Sequence, residues 1–231
     1  MDIAFRLLAL IGLNFEFSVN IRGEAFSPVT ERLVVSGRPR IEEVAELEAV
    51  GVTHVVSCLE EDELPRVAFL GTRFRTLNLA VRDGMDQDIT PCFPAFFEFA
   101  SEALESPDSK LLVHCEAGVS RSATLATAWL MKSKAQTFWD AFLQLRARRA
   151  GVLPNIGFAS QLQHLEGTML AERARPGGSS SLARYLREVC HAPVEVGLLD
   201  EVLERHDEDA PCALRAIFGG EIPRVVQGVR L

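Results

Sequence analysis

The stretch Lys110-Leu111-Leu112-Val113-His114-Cys115-Glu116-Ala117-Gly118-Val119-Ser120-Arg121-Ser122 constrains this chain more than any other. An apolar run ends in a cysteine, a short loop with one glycine follows, and an arginine opens a segment of helical composition. A strand–loop–helix of this kind turns successive backbone N–H groups and a helix N-terminus toward one point, which makes a cradle for an anion. A cysteine at that point has its thiolate, the nucleophilic form, favoured by the same dipoles and by Arg121.

The rest of the chain supports alternation of short strands and helices. Glu31–Gly37 reads as a strand, and Ile41, Val44, Leu47 and Val50 then recur at helical spacing until Gly51. Val52–Cys58 and Phe74–Ala80 read as strands, and Pro91 stands at a helix start before the apolar face Phe93, Phe96, Phe97, Ala100 and Leu104. Thr137 and Asp140 make a capping-box-like start for a helix to about Arg149, and another helix runs from about Asn155 to Ala171. The five phenylalanines and tryptophans Phe93, Phe96, Phe97, Trp129 and Trp139 read as core. The architecture expected is α/β: a central mixed, mostly parallel sheet flanked by helices, with the cysteine loop at the carboxyl end of a central strand.

These residues resemble the dual-specificity phosphatases, a branch of the cysteine-dependent protein phosphatases whose signature is His-Cys-x-x-Gly-x-x-Arg-Ser/Thr. The resemblance covers about residues 28–168 and continues through Ala123-Thr124, Ala128-Trp129-Leu130-Met131 and Pro154-Asn155-x-Gly157-Phe158-x-x-Gln161-Leu162. It implies that Cys115 is the nucleophile forming a thiophosphate, that the amides of Glu116, Ala117, Gly118, Val119, Ser120 and Arg121 hold the phosphoryl oxygens, and that Arg121 adds a two-pronged contact. By the same resemblance, Ser122 hydrogen-bonds the sulfur and helps it leave, His114 organises the loop from behind, and Asn155 braces its side. The family's general acid is an aspartate about thirty residues before the cysteine. Asp83, in Asn78-Leu79-Ala80-Val81-Arg82-Asp83-Gly84-Met85-Asp86-Gln87-Asp88-Ile89, falls there, with Asp86 the second candidate. Cys58 ends a strand expected beside the Cys115 strand, so it is either a redox partner of Cys115 or a small buried hydrophobe.

The resemblance implies a protein phosphatase acting on phosphotyrosine and on phosphoserine or phosphothreonine, with no metal and no cofactor. Strictly tyrosine-directed relatives use a tyrosine-bearing loop to deepen the site. The one tyrosine here, Tyr185, lies beyond the matched region, so a shallow site is expected. A phosphatase for another phosphate ester, such as a phosphoinositide, and a phospho-binding pseudophosphatase are the alternatives. The first is disfavoured by Glu116 and the absence of Lys or Arg inside the loop, the second by retention of Cys115, Arg121 and Asp83.

With 231 residues, 48% of them hydrophobic, the chain affords one ordinary domain and an extension. We expect an N-terminal segment at 1–27, a catalytic domain at 28–172, a linker of Gly and Ser composition at 173–181, and a helical extension at 182–231 with helices near Leu182–Cys190 and Val196–His206. The net charge of −8 argues against nucleic acid as partner and leaves phosphorylated protein. Five cysteines without framework spacing imply a reducing compartment, hence the cytoplasm, the nucleus included. The apolar stretch Leu7–Leu13 is too short to span a bilayer and reads as a helix or strand against the domain.

Overall fold

Strand β5 (Lys110–His114) occupies the middle of a five-stranded sheet, and its sequence shows why. Leu111 and Val113 face one apolar core while Leu112 faces a second on the other side of the sheet, so no position in the strand is left for a polar residue. The computed structural model describes residues 25–170, 180–190, 192 and 196–217. The sheet order is β1 (Phe26–Pro28), β2 (Leu33–Ser36), β5, β3 (Val52–Leu59) and β4 (Arg75–Ala80). β2, β5, β3 and β4 run parallel, and β1 pairs antiparallel with β2 at the edge.

The register sets Val56 beside Val113 and Ser57 beside His114. Side chains alternate across a strand, so Val56 and Cys58 fall into the same core as Val113 and Cys115, while Ser57 meets His114 on the opposite face. Helix α1 (Val44–Val50) covers the second core with Leu47 and ends at Gly51, whose φ of +89° suits a residue without Cβ. The first core is covered by α2 (Phe93–Ala103), α3 (Arg121–Lys134), α4 (Phe138–Arg148) and α5 (Ile156–Leu170). Thr137 caps α4 by accepting the amide of Asp140 at 3.1 Å, as its spacing predicts. Of the five aromatics expected in the core, Phe93, Phe96 and Trp139 are buried, while Phe97 and Trp129 are partly covered.

Three further helices follow, α6 (Ser181–Glu188), α7 (Val196–Arg205) and α8 (Ala210–Ile217). The first two answer the helices expected there, and α8 went unread in the sequence. Leu182, Tyr185, Leu186, Leu199, Leu203 and Leu214 join the same core as α3 and α5, so the extension and the catalytic region share one apolar interior. β1 begins at Phe26, inside the segment assigned to 1–27, because its backbone completes the sheet edge against β2. The linker assigned to 173–181 gives way at Ser181, which opens α6 because the Ser180 hydroxyl caps it by accepting the amide of Ala183 at 3.1 Å. The reading made for Leu7–Leu13 and the bulk of the linker lie outside the described residues. Among those residues no helix is long and apolar enough to cross a membrane.

Candidate active site

The loop from Glu116 to Ser120 leaves the end of β5 and enters α3 with every one of its carbonyls held from outside. The amide of Arg38 donates to Glu116 O at 2.9 Å, and Leu153 N donates to Val119 O at 2.8 Å. Arg149 donates through Nη2 to Ala117 O at 3.3 Å and through Nε to Gly118 O at 2.8 Å. Ser120 O accepts from the amide of Thr124 at 2.8 Å and from its hydroxyl at 2.9 Å. A peptide unit is planar and trans, so a carbonyl turned outward turns the next N–H inward. The five outward carbonyls therefore aim the amides of residues 117–121 at one centre, which is the geometry of an oxyanion cradle. Gly118 has φ +70°, and a Cβ there would stand 2.5 Å from Gly37 N and from Ser36 C, so only glycine lets the loop lie against β2.

Cys115 sits at that centre, 1% exposed, with its sulfur accepting from Gly118 N and from the Ser122 hydroxyl, each at 3.2 Å. Arg121 is 6% exposed and donates through Nη1 to Val81 O at 3.1 Å. It lies 3.6 Å from Glu63 Oε2 and, through Nε, 3.7 Å from Asp83 Oδ2. Among the described residues its buried Nε has no hydrogen-bond partner, and it is a donor that a phosphoryl oxygen in the cradle would satisfy. Behind the loop, His114 Nε2 is 2.8 Å from Ser57 Oγ, and burial pulls the imidazole down to about 4. A neutral ring buried on the far side of the strand is a support and not a proton donor to substrate.

Asp83 follows β4 on the loop that closes over Arg121. Its Oδ1 accepts from Ser120 Oγ at 2.8 Å and from Asn155 Nδ2 at 2.9 Å, which ties it to the cradle on two sides. Asn155 also donates its backbone N–H to Ser120 Oγ at 3.2 Å. Asp86 turns instead to a surface pair with Arg82 at 3.1 Å. The structure thus brings Cys115, Arg121, Ser122, Asp83 and Asn155 together and leaves Asp86 on the rim. Cys58 lies one residue past the Ser57–His114 pairing, on the Cys115 face. Burial pushes its thiol well above its ordinary value, and charge at Cys115 adds to the push.

Three charged residues of the site escaped the sequence reading. Arg149 also donates through Nη1 to Ser27 Oγ at 3.1 Å, and it closes the loop from behind. Burial pulls its guanidinium below the ordinary value while negative charge at Cys115 works the other way, so the two charges favour each other. Arg38 grips the Glu116 carboxylate at 2.7 and 3.1 Å, and that hydrogen-bonded pairing holds the carboxyl below its usual range. Glu63 is the third, beside Arg121. Contacts made with backbone carbonyls or across long chain separations leave no local pattern, so nothing in the sequence marked them.

Comparison with known proteins gives the family. Residues 33–168 match the model of the dual specificity phosphatase catalytic domain. Human dual specificity protein phosphatase 26 is 37% identical over 123 residues, covering 52% of this chain and 57% of that protein. Serine/threonine/tyrosine-interacting protein A of Xenopus laevis is 33% identical over 162 residues, covering 68% of this chain and 70% of its own length. The crystal structure of human tyrosine phosphatase-like serine/threonine/tyrosine-interacting protein superposes with a TM-score of 0.60 at 29% identity, over 63% of this chain and 97% of that one. Other curated relatives are much longer: the chain spans 21% of protein-tyrosine-phosphatase MKP1 of Arabidopsis thaliana. A cysteine, an arginine and an outward-bound carbonyl loop on this sheet define a cysteine-type phosphatase domain. The chain belongs to the dual-specificity phosphatase family.

Proposed function

We propose that this protein hydrolyses phosphotyrosine and phosphoserine or phosphothreonine in phosphorylated proteins, through a phosphocysteine on Cys115. The observation that carries the reading is the set of five loop carbonyls bound from outside, which commits the amides of 117–121 to an anion before any arrives. In the first step the Cys115 thiolate attacks phosphorus, an S–P bond forms, and the ester P–O bond breaks as Asp83 gives its proton to the leaving oxygen. Amides and Arg121 follow the charge on the non-bridging oxygens. In the second step Asp83, now a carboxylate, takes a proton from water as the water oxygen attacks phosphorus. The sulfur leaves as thiolate, eased by the Ser122 hydroxyl at 3.2 Å.

Support for a protein substrate over a polyanionic head group comes from the loop's charge. Residues 116–120 contain no Lys or Arg, and the neighbouring cation Arg38 is committed to Glu116. Glu116 is thereby paired and repels an anion less than its presence in the sequence implies. Parallel assays on tyrosine- and serine-phosphorylated peptides and on vesicles carrying phosphoinositides test the reading. Turnover of the peptides at a kcat/KM at least tenfold above the vesicles is expected, and the reverse order overturns it. Absence of turnover on all of them, with phosphopeptide still bound, would make the protein a phospho-binding module.

A further inference from the structure

Helix α5 has two loads. Its N-terminal half carries the acid loop: Gln161 accepts the amide of Ile89 at 2.8 Å and donates to Gln87 O at 2.9 Å, and a Cβ on Gly157 would run into the Met85 backbone. Its other side carries the extension beyond the matched catalytic region. Gln163 accepts the amide of Leu182 at 2.9 Å, and Ser160 accepts that of Ala210 at 2.7 Å. Just before α5, Leu153 and Pro154 lie outside helix and strand, while Asn155 caps α5, its Oδ1 accepting the amide of Phe158 at 3.0 Å and its carbonyl that of Ala159 at 2.9 Å. Leu153 N is bonded to the cradle and Asn155 to Ser120 and Asp83, while Pro154 has no N–H to give. What holds Pro154 is Tyr185 of α6, whose hydroxyl donates to the Pro154 carbonyl at 2.5 Å. Its ring is fully buried against Phe138 and Phe142, with centroids 5.5 and 5.0 Å away. Burial keeps the phenol well above its ordinary value, so the hydroxyl remains a donor.

We propose that the C-terminal extension is a built-in buttress of the acid loop, and that Tyr185 is its positioning residue, fixing Asn155 and through it Asp83 by way of the Pro154 carbonyl. The path is Tyr185 Oη, Pro154 O, the Pro154–Asn155 peptide, Asn155 Nδ2 and Asp83 Oδ1. Two of its links are hydrogen bonds, at 2.5 and 2.9 Å. Tyr185 touches no substrate. It sets the position of the group that delivers the proton, and a misplacement of an ångström or less is costly in that step. The proposal rests on Asp83 being the general acid.

Tyr185→Phe keeps the ring and removes only the donor. On an alkyl phosphate, whose leaving oxygen needs a proton, it should lower kcat by about tenfold with KM changed less than twofold. On para-nitrophenyl phosphate, whose leaving group departs without one, phosphoenzyme formation, read as kcat/KM, should stay within about twofold, and in an Asp83→Asn background the substitution should cost nothing further. Equal losses on both substrates, or none on either, would overturn the buttress. If Asp83→Asn itself lowers kcat/KM on both substrates alike, the acid assignment fails, and the buttress is then decided by a second readout. Tyr185 is the one tyrosine in the chain, so biosynthetic 3-fluorotyrosine labels that position alone. Its fluorine resonance should shift when vanadate fills the cradle and when Asp83 is replaced by Asn. A resonance indifferent to both refutes the coupling, and this arm also decides the matter if Tyr185→Phe does not fold.

Discussion

Replacing Arg149 by alanine separates the cradle's construction from its chemistry, because Arg149 lies behind the loop. The guanidinium makes three hydrogen bonds, to Gly118 O at 2.8 Å, Ser27 Oγ at 3.1 Å and Ala117 O at 3.3 Å. Two of these hold loop carbonyls, and bonds to a charged donor contribute about 1.5–3 kcal/mol each. Water admitted to the truncated site recovers part of that, so the loss of stability should be about 2–4 kcal/mol, or roughly 5–15 °C in Tm for a chain of this size. The loss of activity should be larger in proportion. Once Ala117 O and Gly118 O are unheld, the amides of Gly118 and Val119 are no longer aimed at the oxyanion, and one such donor is worth about 10²–10³ in kcat. We expect kcat/KM on para-nitrophenyl phosphate to fall by about 10²–10³ at a temperature where circular dichroism shows the variant folded. Arg149→Lys should recover little, since one ammonium cannot bridge both carbonyls. A folded Arg149→Ala enzyme within about threefold of wild type would refute the claim that outward-held carbonyls aim the amides.

Arg121→Lys should be nearly as damaging as Arg121→Ala, because a point charge cannot make the two-pronged contact; most of the activity surviving in the lysine variant would place phosphate binding on the amides alone. Acid should destabilise the protein partly through His114, whose ordinary value of 6.5 is pulled to about 4 by burial. Between those values the unfolded chain binds the proton that the folded one refuses, so stability is lost as pH falls through that window. The loss is of order 2–3 kcal/mol by pH about 4.5, visible as a steeper denaturation profile than that of His114→Gln. Brief peroxide should convert the Cys115 thiolate to a sulfenic acid; if Cys58 is its redox partner, the Cys58 sulfur attacks with loss of its proton, water is expelled, and a disulfide forms that thiol reverses. The Ser57–His114 pair sets Cys58 and Cys115 one position further along neighbouring strands about 4.8 Å apart, which favours the Cα separation of about 7 Å or less that a disulfide needs. A Cys58→Ala variant that recovers as fully as wild type after the same pulse would make Cys58 a core residue only.

What was legible in the sequence is what repeats locally. The unbroken apolar run of β5 and the helical spacing of Leu47 and Phe96 report burial directly, and the Cys115–Arg121 spacing reports a loop that must turn back on itself. Gly118 and Thr137 announce a positive φ and a helix cap by their chemistry. β1, at three residues, is too short for any period, and its place depends on pairing with β2. The charged residues around the loop were invisible for a different reason. Arg149 acts on a backbone carbonyl 31 residues away, which carries no sequence signal, and Arg38 reaches the Glu116 carboxylate across 78 residues, too far for any local pattern. Tyr185 shows the limit most clearly. It was set outside the catalytic region because the resemblance ends before it, yet its ring packs among Phe138 and Phe142 and its hydroxyl ends on the residue before Asn155.

The most direct test of the mechanism is to trap the intermediate. Asp83→Asn slows hydrolysis of the phosphoenzyme while sparing its formation from para-nitrophenyl phosphate, so a rapid acid quench of that variant followed by peptide mass spectrometry should find a phosphoryl group on the peptide carrying Cys115. It should be absent from Cys115→Ser, which should also show no turnover. A phosphoryl group on any other residue, or sustained turnover by the serine variant, would contradict a covalent route through Cys115.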